Sequence, residues 1–88
     1  MKIKNGFVVR EIAGQSIVVA LGEASKVFNG MIKLNETGRV IWDALAEGSS
    51  VEEIVSALLS EYDVDRKTAE ADVEGFVKTL AEANILEQ

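Results

Sequence analysis

The sequence contains neither cysteine nor histidine. Disulfides, thiolate nucleophiles, metal ligation through thiolate or imidazole, and histidine acid–base chemistry are therefore all excluded. No Gly-rich phosphate loop is present, so a nucleotide site has no support. No apolar run approaches the roughly 18 residues needed to cross a bilayer. The opening "MKIKNGFVVREIAG" has neither an unbroken apolar segment nor a small-residue cleavage site, so a soluble, cytoplasmic chain is expected. Carboxylates, Lys, Ser/Thr and the single Tyr62 remain for chemistry, and none stands in a recognisable motif. The expectation is a protein that is not an enzyme and carries no cofactor or metal.

What is present fits one small domain over residues 1–88, with 48% hydrophobic content and a modest core. Charge is unevenly placed. Residues 1–35 carry five basic and two acidic side chains, net +3, and residues 36–88 carry four basic against thirteen acidic, net −9, which gives the total of −6. The second part repels phosphate backbones and anionic lipid, so neither nucleic acid nor membrane is an expected partner.

The first third alternates in the manner of strands. Residues 7–12 (FVVREI) and 16–21 (SIVVAL) are rich in β-branched side chains, and the turn around Gly14 joins them as a hairpin. Arg10 and Glu11 interrupt its apolar residues, so one side is expected to be wetter. A connector, residues 22–26, leads to Val27-Phe28 and the turn signal Asn29-Gly30. Val27-Phe28 folding back on Met31-Ile32 is one reading. Delivery of Met31, Ile32, Lys33 and Leu34 to the first hairpin as a third strand is preferred, because two-residue arms are too short to be stable alone.

After residue 35 the period becomes helical. Asn35 or Thr37 caps a helix running to about Ala46, with Val40, Ile41, Ala44 and Leu45 on one stripe and Gly48 as its stop. Ser50-Val51-Glu52-Glu53 is a capping box opening a second helix, whose stripe is Val51, Ile54, Val55, Leu58, Leu59 and Tyr62. Asp65 caps a third, running to about Ala83 with Ala69, Val73, Phe76, Val77 and Leu80 on one face. Asn84 closes it, and Ile85 and Leu86 pack back. The order β-β-β-α-α-α predicts an α+β domain with its helices on one side of the sheet.

Two motifs invite sharper readings. The last two helices imitate a helix-turn-helix, but the second presents Arg66, Lys67 and Lys78 against Glu70, Asp72, Glu74 and Glu82, an acidic surface that forfeits attraction to phosphate. Asp63 through Glu74 imitates a calcium loop with carboxylates at the first, third and twelfth positions. It fails at the fifth, Lys67, and at the sixth, where Thr68 replaces the required Gly. Trp42 and Phe76, at helical spacing among aliphatics, read as core residues.

The features Leu34-Asn35-x-Thr37, Ile41-Trp42, Leu45, Gly48, Glu53-Ile54, Leu58, Tyr62, Asp72-Val73-x-x-Phe76, Leu80 and Ile85, following the "FVVREIAGQSIVV" hairpin, resemble the PqqD-like family. These are small peptide-binding domains, also called RiPP precursor recognition elements. The resemblance implies a winged helix-turn-helix-like fold of three strands and three helices. It implies that the leader segment of a ribosomally made precursor adds as an antiparallel strand to the third strand, beside the third helix. It further implies a modifying enzyme, often a radical S-adenosylmethionine protein, as second partner. The peptide-binding residues so expected are Met31, Ile32, Lys33, Leu34, Asp72, Val73, Phe76 and Val77. Members serving pyrroloquinoline quinone synthesis usually show Pro-Glu-Gly before the third strand and Thr-Ala after it, where this chain has Asn29-Gly30-Met31 and Thr37-Gly38. The alternative function is assembly through the open strand edge, with a second copy or a partner enzyme, against which Lys33 is the visible deterrent. Either pair, Met31/Lys33 or Ile32/Leu34, is compatible with the sequence as the one whose backbone turns outward.

Overall fold

The computed structural model describes residues 2–27 and 31–87, and the Asn29-Gly30 turn lies outside them. Strand β1 (Lys2–Ile3) is followed by the hairpin β2 (Phe7–Ile12) and β3 (Gln15–Ala20), then a single helical turn α1 (Ala24–Val27) and the short strand β4 (Ile32–Leu34). Helices α2 (Glu36–Ala46), α3 (Val51–Glu61) and α4 (Arg66–Glu82) come next, and strand β5 (Leu86–Glu87) ends the order. The main sheet is antiparallel in the order β2-β3-β4, so residues 32–34 do join the hairpin as a third strand.

Local chemistry accounts for the elements. The two-residue turn Ala13-Gly14 has positive φ at both positions, 52° and 79°, as the right-handed twist of a tight hairpin demands. Gly14 adopts that conformation without a Cβ penalty. Asn35 is the cap of α2, its side-chain oxygen accepting the Gly38 N–H at 2.7 Å. At α3 the capping box is complete: Ser50 Oγ accepts the Glu53 N–H at 3.1 Å, and Glu53 Oε1 accepts the Ser50 N–H at 2.8 Å. Asp65 caps α4 by accepting the Thr68 N–H at 2.8 Å. Asn84 closes α4 in the left-handed region, with φ 63°. Because α4 begins at Arg66, most of the calcium-loop imitation is helix rather than loop.

One face of the sheet meets the helices. Phe7, Val9, Val18, Ala20, Ile32 and Leu34 join the core that also contains Ile41, Trp42 and Leu45 of α2, Ile54 and Leu58 of α3, and Val73 and Leu80 of α4. Ile85 and Leu86 pack back as expected, both buried. Two features depart from the expected order. The connector after Gly22 contains α1, and β1 pairs antiparallel with β5, matching Lys2 with Glu87 and Ile3 with Leu86. Lys4 extends that ribbon, its N–H donating to the Ile85 carbonyl and its Nζ to Asn84 Oδ1, both at 2.8 Å. The ribbon lays the beginning of the described chain against the end of α4.

Candidate functional site

The register of the sheet fixes which backbone groups of β4 are free. In an antiparallel ladder, alternate residue pairs exchange both hydrogen bonds, and the residues between turn their N–H and C=O the other way. The Leu21 N–H donates to the Gly6 carbonyl at 2.7 Å, and the hairpin closes with Ile12 opposite Gln15. Residues 15, 17, 19 and 21 therefore bond to β2, and residues 16, 18 and 20 face β4. Ser16 lies opposite Leu34 and Val18 opposite Ile32. Ile32 and Leu34 thus bond inward, whereas Lys33, and Met31 just before the strand, turn their N–H and C=O groups to the open edge. Side chains alternate as well: Leu34 is buried and Ile32 half-buried toward the helices, while Lys33 and Met31 are exposed on the opposite face.

Beside this edge lie two adjoining depressions. One is lined by Ser16, Leu34, Gly38, Arg39, Tyr62 and Phe76, among others, and the other by Asn35, Gly38, Asp72, Gly75, Phe76 and Thr79, among others. The half-buried Phe76 borders both, as do Asn35 and Gly38. At Gly38 the tight neighbour is the capping oxygen of Asn35, while Phe76 of α4 lies at ordinary contact distance. A Cβ there would stand 3.1 Å from Asn35 Oδ1, 3.6 Å from Phe76 Cε1 and 3.7 Å from Leu34 Cβ. Gly75 opens the second depression, since a Cβ at that position meets nothing within 4 Å.

The hairpin end is fastened to α2 by a polar cluster. Arg39 Nε donates to both Asp43 carboxylate oxygens, at 3.0 and 3.2 Å, and Arg39 NH1 donates to Ser16 Oγ at 3.0 Å. Ser16 Oγ in turn donates to Glu11 Oε2 at 2.6 Å. These groups are largely solvent-exposed, so their role is to fix orientation more than to add stability. The Thr68 hydroxyl and then its amide hold Asp65 below the ordinary value, and Asp65 lies at the start of α4, outside both depressions.

The expected peptide-binding residues divide accordingly. Met31, Ile32, Lys33 and Leu34 form the edge strand, Phe76 borders both depressions, and Asp72 is exposed in the second. Val73 is completely buried in the core and lines neither depression, so it anchors α4 from below. Val77 is half-buried against the core and likewise lines neither. Trp42 is core as expected, with 4% exposure, whereas Phe76 is shared between core and groove. Sequence reasoning did not single out Gly38, Arg39 or Gly75 for this site. The Arg39/Asp43 spacing of four was visible, but the partnership with Ser16 and Glu11 requires the folded hairpin.

The other outer strand, β2, turns backbone groups of Val9 and Glu11 outward by the same parity rule. Those residues border no part of the Phe76 groove except through the Glu11 side of the first depression. No helix among the described residues is long and apolar enough to cross a membrane.

The sequence profile described as Coenzyme PQQ synthesis protein D (PqqD) matches residues 10–86. Among solved structures, the chain is similar to TbiB1, determined in complex with the TbiA(beta) leader peptide. The two share 36% identity with a TM-score of 0.79, over 99% of this chain and 95% of that one. It is also similar to a lasso peptide synthetase B1 complexed with the leader peptide, at 25% identity and a TM-score of 0.74, over 92% of this chain and 89% of the other. Comparison with curated proteins gives no significant match.

Proposed function

Because this chain belongs to the PqqD family, we propose that it binds the leader segment of a ribosomally synthesised precursor peptide and presents it to a modifying enzyme. The leader adds as an antiparallel strand along β4, bonding to the outward N–H and C=O groups of Met31 and Lys33. Its inward side chains rest between Leu34, Gly38 and Phe76. The observation that carries this reading is an open edge flanked by a groove in which Val40, Tyr62 and Phe76 stand among polar and charged side chains, in a chain 36% identical to one solved with a leader peptide. The β2 edge is longer, but of its outward residues Val9 lines neither depression and Glu11 only the first. The chain acts without chemistry of its own, as a single cytoplasmic domain.

Magnitudes support strand addition only in company with the groove. Four backbone bonds at roughly 0.5–1.5 kcal/mol each contribute roughly 2–6 kcal/mol. Micromolar affinity needs about 8 kcal/mol. Ordering a flexible leader widens the gap, and one or two leader side chains contributing about 1.5–3 kcal/mol each on burial close it. Phe76 and Tyr62, both half-buried, supply the apolar surface for that burial. Pairing of two copies through the same edge is disfavoured, because it would bring two Lys33 residues together on one face of the joined sheet.

Calorimetric titration with the leader peptide of each candidate precursor encoded by a neighbouring gene tests the proposal. Micromolar or tighter binding with one-to-one stoichiometry is expected. Absence of binding to every neighbouring precursor would overturn it.

A further inference from the structure

The outer face of the sheet, turned away from the helices, concentrates apolar surface. Of the four exposed large hydrophobic residues among those described, Ile12 (51% exposed) and Leu21 (45%) have the side-chain parity of this face, and so does Met31 (67%). Val8 and Val19 lie opposite each other on the same face, both half-buried. At its centre is Ile17, only 6% exposed although outside the main core, flanked in register by Arg10 on one side and Lys33 on the other. Those two cations are the only charged residues that β2, β3 and β4 direct to this side. The face is thus apolar and positive on a chain of net charge −6.

Charge selects the occupant. Two such faces apposed would bring four cations together, so a second copy is disfavoured. The net −9 of residues 36–88 repels an anionic membrane. A protein surface with an apolar centre and carboxylates at its rim is complementary. Two six-residue strands and one of three residues present roughly 240 Å², well under the roughly 800 Å² per partner of a stable interface, which suits an encounter that forms and releases.

Resting on the leader-binding reading, we propose that this outer face docks the peptide-modifying enzyme through an apolar, carboxylate-rimmed surface. Continuity with the leader edge gives the arrangement its use. Met31 and Lys33 turn their backbones to the leader and their side chains to the outer face, so an enzyme docked there shares a border with the bound leader. The tethered core peptide then meets the enzyme at raised effective concentration.

The test combines Arg10→Glu with Ile12→Ser, both exposed and remote from β4, with Leu21→Ser as a separate variant and circular dichroism to verify folding. Affinity for the purified modifying enzyme encoded by a neighbouring gene is expected to fall at least about tenfold, while leader affinity changes less than about twofold. Unchanged enzyme affinity in both variants would overturn the docking surface. So would a wild-type chain that self-associates through this face, or that sediments with phosphatidylserine-containing vesicles, where the variants do not. Failure of the wild-type chain to bind leader would instead overturn the proposed function, and it is read in its own titration.

Discussion

Proline substitution along β4 turns the parity of the strand into a measurable split. Lys33 directs its N–H to the open edge, so Lys33→Pro removes no bond from the resident sheet, and the preceding Ile32 already has the extended backbone that proline requires. Folding should be nearly unaffected. Leader binding should lose one backbone bond of about 0.5–1.5 kcal/mol, a rise in Kd of roughly 2- to 13-fold. Ile32→Pro is the opposite case, because its N–H bonds inward to the carbonyl of Val18, itself fully buried. Losing that bond and part of the Ile32 burial, and leaving the Val18 carbonyl without its partner, should cost about 3 kcal/mol. At about 4–8 °C per kcal/mol for a domain of this size, the melting temperature should fall by roughly 12–24 °C. Thermal melts followed by circular dichroism, with leader titration of the folded variants, make the comparison. Equal destabilisation by the two prolines would refute the assigned parity. Unimpaired leader binding by Lys33→Pro would refute strand addition at β4.

Three further outcomes follow from the groove and the caps. Gly75→Ala should stabilise α4 by about 1 kcal/mol, since the position is exposed and mid-helix. In the same titration it should weaken leader binding if the leader passes close over Gly75. Phe76→Ala should reduce leader affinity about tenfold, one partly buried aromatic contact, with a smaller loss of thermal stability because the ring is only half-buried in the free chain. Asp65 has its pKa lowered by the Thr68 hydroxyl and amide, so its contribution to stability is complete above the ordinary carboxylate value and is lost as pH falls through the lowered one. Asp65→Asn should therefore flatten the acid limb of the melting temperature against pH while leaving the neutral region little changed, and an unaltered acid limb would contradict that assignment.

Much of this architecture was legible because local chemistry and hydrophobic period agree. Ser50 and Glu53 announce α3, Asp65 announces α4, and the β-branched runs around Gly14 announce the hairpin. The β1/β5 ribbon was not legible, since two-residue strands carry no period and their pairing joins opposite ends of the chain. Phe76 shows the limit of a helical stripe. The pattern gives the face on which it lies, but whether a residue at the stripe's margin is sealed or borders a groove depends on what the neighbouring helix offers. Here the neighbour is Gly38, with no side chain to cover the ring. Val73, one turn earlier on the same stripe, is sealed completely. The parity of residues 31–34 likewise depended on register, which the Leu21 to Gly6 bond and the Ser16/Leu34 pairing together supply.

Amide hydrogen exchange, resolved residue by residue with and without saturating leader peptide, tests strand addition most directly. The Lys33 amide, exposed to solvent at the open edge in the free chain, should become protected on leader binding, with Met31 following. The amides of Ile32 and Leu34 should already be slow, and those of Val9 and Glu11 on the opposite edge should not change. Protection appearing at Val9 and Glu11 while Lys33 exchanges as before would place the leader on β2 and contradict the account.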